Sequence, residues 1–503
     1  MKYKSFLVGF FLLITTASGL VAGELPASGL DVSGNWSELD TKNITGENTS
    51  GNAFLNLVFS EQKIDEHVGG FASPDSTRMA YLNRSEKGYS LVVAGPGGKT
   101  EGKTYEDIKN DVIFSPDSTR LAYYARIGEK WIAVIDGSDG KQYDEIIPPI
   151  VFSPDSKKVA YLAKAGDKLA VVIGGEEKLY DNAYGLKFSP DSNHLAYYIS
   201  KGGSGSFVVL DGREMDRLGT NFIFSPDSAR WAYSSINAYT GDPVYIVLNN
   251  KTMDLGNDGA IYGLYFSPDS QRFAFDMRTG SSTYGSHRVV VDEVYGKEYQ
   301  FPGVGKVVFS PDSRHVAYWA KSEGEGYFEV LDGIEGKNYS EVRDPIFSPD
   351  SNHTAYAARS SDGWHVVLDG NEGINYTDVW GLTFSPDSKH LAYAARASKD
   401  GKEMQFVVVD GKEETQYLHD WYGQGILYGP AFNPAGRLVY VANDGGKAEF
   451  IVVDQTRKID PWIRLDGSAL VFDSPDAFHY LGRNETGTYL VNVSITAQSE
   501  AEA

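Results

Sequence analysis

The sequence predicts an all-β protein, a β-propeller of about eleven four-stranded antiparallel blades, on the basis of one motif, its spacing and the short strands around it. The motif is Phe-Ser-Pro-Asp-Ser at residues 114–118, and near copies return at intervals of 36 to 48 residues. A period of about 40 residues with several short apolar runs, and without a 3.6-residue apolar period, is typical of propeller blades. Marked by their proline, the copies stand at Pro74, Pro116, Pro154, Pro190, Pro226, Pro268, Pro311, Pro349, Pro386, Pro434 and Pro475.

The second repeat shows the four strands of one blade. Residues 111–114 are a short apolar run, and residues 115–118 are a turn in which proline fixes φ while Asp and Ser bond nearby amides. Apolar runs at 120–126 and 131–135 predict the second and third strands, and an Asp-Gly turn leads to a fourth strand near 142–146. Four antiparallel strands make one propeller blade.

The last repeat shows three strands clearly but no obvious fourth. The apolar run at 53–59 belongs to no complete repeat, and it could complete the last blade and leave no open edge. Two arrangements of the ring remain open. Because propellers usually have four to eight blades, we expect two tandem rings, at residues 52–257 and 258–503, with one large ring closed by the N-terminal strand as the alternative.

The N-terminal residues have the pattern of a secretory signal peptide. Two lysines, the apolar run at 6–14 and small residues up to Gly23 predict a signal peptide at 1–23, and retention as an anchor is the alternative. Residues 24–51 are rich in Gly, Ser, Thr and Asn and are predicted to be a flexible leader. We therefore expect a secreted or cell-surface protein, periplasmic if the source has an outer membrane, and no membrane insertion after cleavage.

Composition limits the classes of partner. The net charge of −22 argues against binding nucleic acid or an anionic membrane by charge, and the absence of cysteine excludes disulfide bonds. Asn-x-Ser/Thr sequons are frequent, which fits an exported and glycosylated protein, although turn-rich repeats also generate them. The candidate glycosylation sites are Asn35, Asn43, Asn48, Asn83, Asn250, Asn338, Asn375, Asn484 and Asn492.

The repeat resembles that of a known family. The Phe-Ser-Pro-Asp-Ser turn, followed by Leu-Ala-Tyr and later by Val-Val-Asp-Gly, is similar to the Pro-Asp repeat of TolB-like propellers, which are related to WD-repeat propellers. The resemblance covers roughly residues 60 to 490 and implies a propeller fold. This repeat occurs in periplasmic binding proteins, in propellers attached to peptidases and in some polysaccharide lyases, so the resemblance alone does not choose a function. The turn here ends in Ser, where that family usually has Gly.

Two groups of residues are candidate ligand-binding positions on the face opposite the Ser-Pro-Asp turns. Basic residues end the second strands, and the candidate ligand-binding residues among them are Arg278, Lys321, Arg359 and Arg396. A ring of cations could bind an anionic ligand, whereas ion pairs between blades would give the same pattern. The loops of this face also carry Trp380, His419, Asp420, Trp421 and Tyr422, whose aromatic rings and carboxylate suit sugar stacking or a protein contact.

The sequence has no cofactor motif in the structural context that the motif requires. Residues 97–104 match the phosphate-loop letters, but they fall where other repeats have an outer strand and not a helix N-terminus. We expect neither a cofactor nor a metal, and no catalytic constellation is apparent. The leading hypothesis is a secreted, non-catalytic scaffold that binds a protein or glycan at the cell surface. The alternatives are an extracellular polysaccharide lyase or hydrolase with its site in the funnel, and a surface-layer component.

Overall fold

The computed structural model describes the strands Phe10–Thr15 and Leu20–Leu25 and residues 55–497, with gaps at 68, 202–204, 236–242, 257–258, 281–284, 301–302, 323, 325, 419–424, 444–448, 455, 461–462 and 465–467. The first two strands pair antiparallel with each other. All secondary structure in the described residues is β, and no helix there is long and apolar enough to cross a membrane.

The remaining strands form eleven antiparallel sheets, each a blade that we number by its Ser-Pro-Asp copy along the chain. The inner strands of blades 1 to 11 are Phe71–Ala72, Asp107–Phe114, Glu145–Phe152, Asn182–Phe188, Thr220–Phe224, Gly259–Phe266, Val308–Phe309, Glu341–Val342 with Ile346–Phe347, Asp378–Phe384, Gly425–Phe432, and Ile463–Arg464 with Val471–Ser474. The second strands are Met79–Ser85, Leu121–Ile127, Val159–Ala165, Leu195–Ser200, Trp231–Ser234, Phe273–Thr279, Val316–Ser322, Thr354–Ser360, Leu391–Lys399, Leu438–Asn443 and Ala477–Asn484.

The third and fourth strands complete each blade outwards. The third strands are Gly88–Gly95, Lys130–Ile135, Lys168–Ile173, Ser206–Leu210, Tyr245–Leu248, His287–Val291, Gly326–Leu331, Gly363–Leu368, Lys402–Val409, Glu449–Val453 and Gly487–Ala497. The outer strands are Gly98–Tyr105, Ser138–Asp139, Glu176–Tyr180, Arg213–Leu218, Lys251–Asp254, Val294–Tyr295, Ile334–Glu335, Asn371–Glu372, Lys412–Leu418, Thr456–Asp460 and, for blade 11, Leu55–Asp65. The prediction of eleven four-stranded antiparallel blades is confirmed.

The N-terminal strand closes the ring. Leu55–Asp65 is the outer strand of blade 11 and pairs along almost its whole length with Gly487–Ala497, from Leu55 opposite Ala497 to Asp65 opposite Thr488. The edge of the last sheet is thus covered by the other end of the chain, which removes an exposed row of backbone hydrogen-bonding groups. The run at 53–59 was predicted to take this place, and the strand that does so is longer at its C-terminal end.

Buried apolar clusters show that the blades form one ring. Ten of the eleven clusters lie between two blades that are consecutive in the chain. The eleventh completes the circuit, because in it Met79 and Val92 of blade 1 pack on Leu481 of blade 11. Blades 5 and 6 pack on each other like the other neighbouring blades, although the predicted boundary between two rings, after residue 257, falls between them. The preference for two tandem rings is therefore corrected, and the alternative of a single ring closed by the N-terminal strand is the arrangement that the structure has.

The Ser-Pro-Asp-Ser turn joins neighbouring blades as well as strands. In blade 2, Ser115 donates to Asp117 Oδ1 at 2.6 Å, and this bond followed by the Thr119 amide holds the pKa of Asp117 well below its usual value. The Asp117 amide in turn donates to Ser156 Oγ of blade 3 at 3.0 Å. The same amide-to-hydroxyl bond recurs from blade 1 to blade 9, at Asp75–Ser118, Asp117–Ser156, Asp155–Ser192, Asp191–Ser228, Asp227–Ser270, Asp269–Ser313, Asp312–Ser351 and Asp350–Ser388.

This bond explains why the turn ends in Ser. Each of these serines has a positive φ, for example 60° at Ser118, which costs a residue with a Cβ about 1 kcal/mol and usually favours Gly. The serine offsets this cost because its hydroxyl satisfies an amide of the preceding blade. Blade 10 has Gly436 at this position, which relieves the strain but offers no hydroxyl.

In six blades, the basic residue four positions after the marker proline contacts the outer turn of its own blade. His194, His353 and His390 each place Nδ1 within 2.7 Å of an aspartate that begins the third-to-outer turn, for example Asp211 Oδ2. Arg120 does the same with Asp136 Oδ2 at 2.8 Å, and its guanidinium also donates to the Ser156 carbonyl of the next blade. These histidines are therefore members of separate His–Asp hydrogen-bonded pairs around the ring and do not converge on one site.

Candidate functional site

The repeated polar residues on and beside the outer strands form hydrogen bonds and ion pairs between neighbouring blades. In blade 2, Tyr143 donates to Glu177 Oε2 of blade 3 at 2.8 Å, and Lys141 pairs with the same carboxylate. In the same way, Tyr105 and Lys103 of blade 1 contact Asp139 Oδ1 of blade 2, at 2.6 and 3.1 Å. The phosphate-loop letters at 97–104 therefore lie mostly on the outer strand Gly98–Tyr105, as predicted, and not at a helix N-terminus.

The candidate cations at the ends of the second strands do not share one environment. Arg359 pairs with Glu341 Oε1 at 2.6 Å and Arg396 lies 3.9 Å from Asp378 Oδ2, so each contacts the inner strand of its own blade. Lys321 lies over the Tyr327 ring at 5.1 Å and is half-buried, while Arg278 is completely buried. The ion pairs at Arg359 and Arg396 form within a blade and not, as the alternative prediction had it, between blades.

The candidate aromatic residues are only partly described. Trp380 lies half-buried in the inner strand of blade 9, where the neighbouring Asp378 and the Val379 carbonyl accept hydrogen bonds from Arg343 of blade 8. His419, Asp420, Trp421 and Tyr422 lie outside the described residues, as do the sequons at Asn35, Asn43 and Asn48. Of the other sequons, Asn83, Asn250, Asn338 and Asn375 are exposed, whereas Asn484 and Asn492 are half-buried.

Trp380 has counterparts on other blades. Tyr184 of blade 4 and Tyr262 of blade 6 occupy the same place, at the end of the inner strand opposite the Ser-Pro-Asp turn, and they are 40% and 47% exposed. We call Tyr184, Tyr262 and Trp380 the rim aromatics. Their sequence signal, which the sequence analysis did not use, is an aromatic-Gly pair four residues before the phenylalanine of the motif, and Tyr428-Gly429 repeats it in blade 10.

The glycine after Tyr184 lets the tyrosine ring lie flat on its own blade. Gly185 has φ of 71°, and a Cβ there would come within 2.7 Å of the Tyr198 ring. Tyr184 therefore stacks on Tyr198, with ring centroids 5.2 Å apart and planes 26° apart, while its hydroxyl contacts Ser206 Oγ at 2.5 Å. Tyr184 is paired with Tyr198 in the ladder, and the inner strand shifts register directly after it, between Tyr184 and Lys187. The result is an aromatic face held in a defined orientation and open to solvent.

Blade 6 places a rim aromatic over buried polar groups. The Tyr262 ring stacks on His287 at 5.3 Å, and His287, which is 6% exposed, lies opposite the fully buried Arg278 in the neighbouring strand. Burial, followed by the charge of Arg278, lowers the pKa of His287, so the imidazole is held neutral. A Cβ on Gly303 would come within 2.3 Å of the imidazole, so this glycine lets the chain entering blade 7 pass against the ring.

Asp276 lies on the same face of the same strand as Arg278, toward blade 7. It is 6% exposed, burial raises its pKa to about 6, and Tyr265 donates to its Oδ1 at 3.0 Å. Blades 2 and 4 have Tyr124 and Tyr198 at this position. Each hydroxyl accepts a hydrogen bond from a backbone amide in the inner strand of the next blade. Most other repeats have an apolar or aromatic residue at this position, so the acid at Asp276 was a signal in the sequence that was not recognised.

Tyr262, Asp276, Arg278 and His287 together form what we call the blade 6 site. It combines an exposed aromatic face with an imidazole whose pKa is lowered, a buried guanidinium and a carboxyl group whose pKa is raised to about 6. Within the described ranges there is no group of three His, Asp or Glu side chains placed to hold a metal ion. The arrangement suits stacking and hydrogen bonding of a ligand ring.

Comparison with known proteins gives similarity in fold only. No family model matches the chain, and no curated protein sequence matches it. The crystal structure of the eukaryotic initiation factor is 14% identical and aligns 68% of this chain with 95% of its own, with a TM-score of 0.35. TolB from Acinetobacter baumannii is 16% identical, with 44% and 63% aligned and a TM-score of 0.23. Oligogalacturonate lyase in complex with manganese is 10% identical, with 71% and 98% aligned and a TM-score of 0.26. At these identities and TM-scores the similarities carry no argument about function.

Proposed function

We propose that this propeller is an exported, non-catalytic scaffold that binds a glycan at the cell surface through its rim aromatics. The observation that carries the proposal is the recurrence of an aromatic-Gly pair at one structural position on blades 4, 6 and 9, with Tyr184 and Tyr262 exposed by 40% and 47%. Flat aromatic faces stack on the apolar faces of sugar rings, and rings on several blades can engage successive units of one chain. The signal-like N-terminus and the exposed sequons support export.

The remaining polar chemistry of the ring supports a binding role. The motif serines, the outer tyrosines and lysines and the turn histidines hold blades or turns together. Two of the rim aromatics, Tyr184 and Tyr262, keep 40% and 47% of their surface exposed to solvent. A protein partner that inserts its own side chains between the rim aromatics is the other occupant of this surface, and the test below separates the two.

The test is loss of ligand on removal of all three rim aromatics. Retardation on neutral and acidic polysaccharide gels should fall at least about tenfold for Tyr184→Ala, Tyr262→Ala and Trp380→Ala combined, since each stacking contact contributes on the order of 1 kcal/mol. Tyr295→Ala is the matched control, because Tyr295 is 51% exposed on the outer strand of blade 6 and far from the rim in sequence. Equal retardation of the folded triple variant, or retention of a protein partner and no glycan, would contradict the proposal.

Catalysis on an acidic polysaccharide is the second candidate, and Asp276 is the observation that favours it. Its carboxyl group has a pKa raised to about 6 and shares a strand face with Arg278, beside a neutral His287. A carboxyl group that titrates near neutral pH can act as an acid or base. Release of unsaturated or reducing ends from acidic polysaccharides, assayed with and without divalent cations and abolished by Asp276→Asn, would establish this activity in place of simple binding.

A further inference from the structure

A polar cleft of about 410 Å³ lies between blades 7 and 8, away from the rim aromatics. One wall comes from the outer segment of blade 7, with Lys337, Asn338 and Ser340, and the other from blade 8, with Asp362, His365 and Glu372. The volume falls in the range of roughly 300–1,000 Å³ that is usual for small-molecule sites.

His365 distinguishes this junction from the others. It is 2% exposed and lines the cleft, and the equivalent third-strand residues in blades 2 and 7 are Ile132 and Phe328, which pack in apolar clusters. A histidine in place of a core residue needs hydrogen-bond partners, because burying an unsatisfied polar atom is unfavourable.

The contacts of the imidazole define what it can bind. Nδ1 lies 3.1 Å from Asn375 Oδ1, which only accepts, so Nδ1 carries a hydrogen, and in the neutral imidazole Nε2 then presents a lone pair. Among the described residues, Nε2 has no hydrogen-bond partner. Its nearest acidic neighbour is Glu372 Oε1 at 3.7 Å, which is also an acceptor. Two acceptors this close, on two residues that line the same cleft, suit a ligand with two adjacent donors.

The charges that line the cleft further restrict the class of ligand that it can bind. Lys337 Nζ is bound to Glu372 Oε1 at 2.7 Å, so its charge is already compensated. Asp362 then leaves the lining acidic, which disfavours an anion. A vicinal diol can donate one hydrogen to Nε2 and one to Glu372, and its oxygens can accept from the Asn338 amide.

We propose that the cleft between blades 7 and 8 is a binding site for a neutral, polyhydroxylated ligand such as a hexopyranose unit, with His365 Nε2 and Glu372 accepting from a vicinal diol. This site uses none of the rim aromatics, so it can be tested independently of the proposed function. If the ligand is part of a longer glycan, the cleft is a second anchor on the outer side of the same ring.

Saturation-transfer NMR with methyl glucoside, methyl galactoside and methyl mannoside tests the site, using protein made in a host without N-glycosylation so that Asn338 and Asn375 keep free amides. We expect saturation of at least one neutral glycoside, and a loss of about tenfold or more in His365→Phe, which installs the residue that blade 7 has at this position. His353→Gln, a change in the surface His–Asp pair of the same blade, should leave the signal unchanged, and so should the triple rim variant.

Three results would overturn the site. The first is equal saturation with wild type and folded His365→Phe, or none with any neutral glycoside. The second is saturation only by galacturonate or glucosamine, because a charged ligand contradicts the diol assignment. The third is a pair of imidazole N–H signals for His365 in ¹⁵N-resolved spectra at neutral pH, which would show that Nε2 donates to Glu372 and offers no lone pair.

Discussion

The two sides of blade 8 are built from the same backbone pattern but are filled differently. Toward blade 9, eleven buried residues form a continuous apolar cluster that includes Val366, Phe406 and Val408. Toward blade 7, the cluster has five buried residues, and the junction also holds the buried Glu329 and His365 and the polar cleft. The hydroxyl bonds across the turns are the same on both sides, from the Asp312 amide to Ser351 and from the Asp350 amide to Ser388, each at 2.9 Å.

This difference shows how a repeat ring can carry function without losing closure. The hydrogen bonds that set the angle and spacing of the blades are common to both junctions, so the side chains between the blades can vary. An apolar filling adds burial free energy, whereas a polar filling sacrifices part of it and makes a site possible. The same reasoning applies to Asp276 between blades 6 and 7.

Truncation in the apolar junction is expected to have the largest effect. Phe406 is completely buried between blades 8 and 9, and Phe406→Ala should lower the free energy of unfolding by about 3–5 kcal/mol, because it removes buried apolar surface and leaves a cavity. Urea denaturation followed by tryptophan fluorescence measures the change. Tyr295→Ala, at a 51% exposed position, is the control and should stay within about 0.5 kcal/mol. A loss for Phe406→Ala as small as the control would mean that this junction does not limit stability.

A neutral replacement in the polar junction is expected to stabilise the protein, and only at higher pH. Burial raises the pKa of Glu329 from its usual 4.5 to about 7. Below pH 4.5 the group is protonated in both the folded and unfolded states and costs nothing. As pH rises through 7 the folded protein must ionise a buried carboxyl group, so stability that is present at low pH is lost. Glu329→Gln should therefore exceed wild type by up to about 3 kcal/mol above pH 7 and match it below pH 4.

Thermal denaturation at pH 4 and pH 8 measures this pH dependence. Glu335→Gln is the control, since Glu335 is exposed on the outer strand of the same blade and pairs with Lys297 at the surface. A Glu329→Gln variant that is less stable than wild type at pH 8 would show that the carboxylate has a favourable partner in the junction.

Removal of the hydroxyl bonds that both junctions share is expected to have the smallest effects on stability, and the two effects should be equal. Ser351→Ala and Ser388→Ala each remove the hydroxyl that satisfies an amide of the preceding blade while keeping a Cβ at positive φ, so each should cost about 1–2 kcal/mol. Ser351→Gly and Ser388→Gly should cost less, because glycine tolerates this backbone conformation. Unfolding in urea compares the four variants, with the exposed Ser138→Ala as reference. Unequal losses at the two junctions would refute the idea of a common skeleton.

The fold was largely predictable because the repeat encodes it locally. The Ser-Pro-Asp turn and the apolar runs around it depend on residues close in sequence, and even the missing strand of the last blade could be assigned to the N-terminal run. The number of rings was not predictable, since each junction pairs one blade with the next in either arrangement. Only contact of Met79 with the last blade, and of blade 5 with blade 6, distinguishes them.

The candidate sites were less predictable because they depend on exceptions to the repeat. Trp380 was identified from its loop, but Tyr184 and Tyr262 were not recognised as its equivalents. Arg278 was selected as a cation of an open funnel, and the structure buries it beside His287. Asp276, Glu329 and His365 replace apolar or aromatic residues of other blades, and a column-by-column alignment of the repeats would have shown them.

The sequence by itself determined the eleven blades, their strand order and the structural role of the Ser-Pro-Asp-Ser turn, because these follow from backbone preferences and apolar spacing within each repeat. The tertiary structure decided that there is one ring, that the last serine of the motif is retained at positive φ because its hydroxyl accepts from an amide of the preceding blade, and which junctions are polar. Those properties arise between residues about 40 positions or several hundred positions apart, where the free energy of a contact depends on what the facing blade presents.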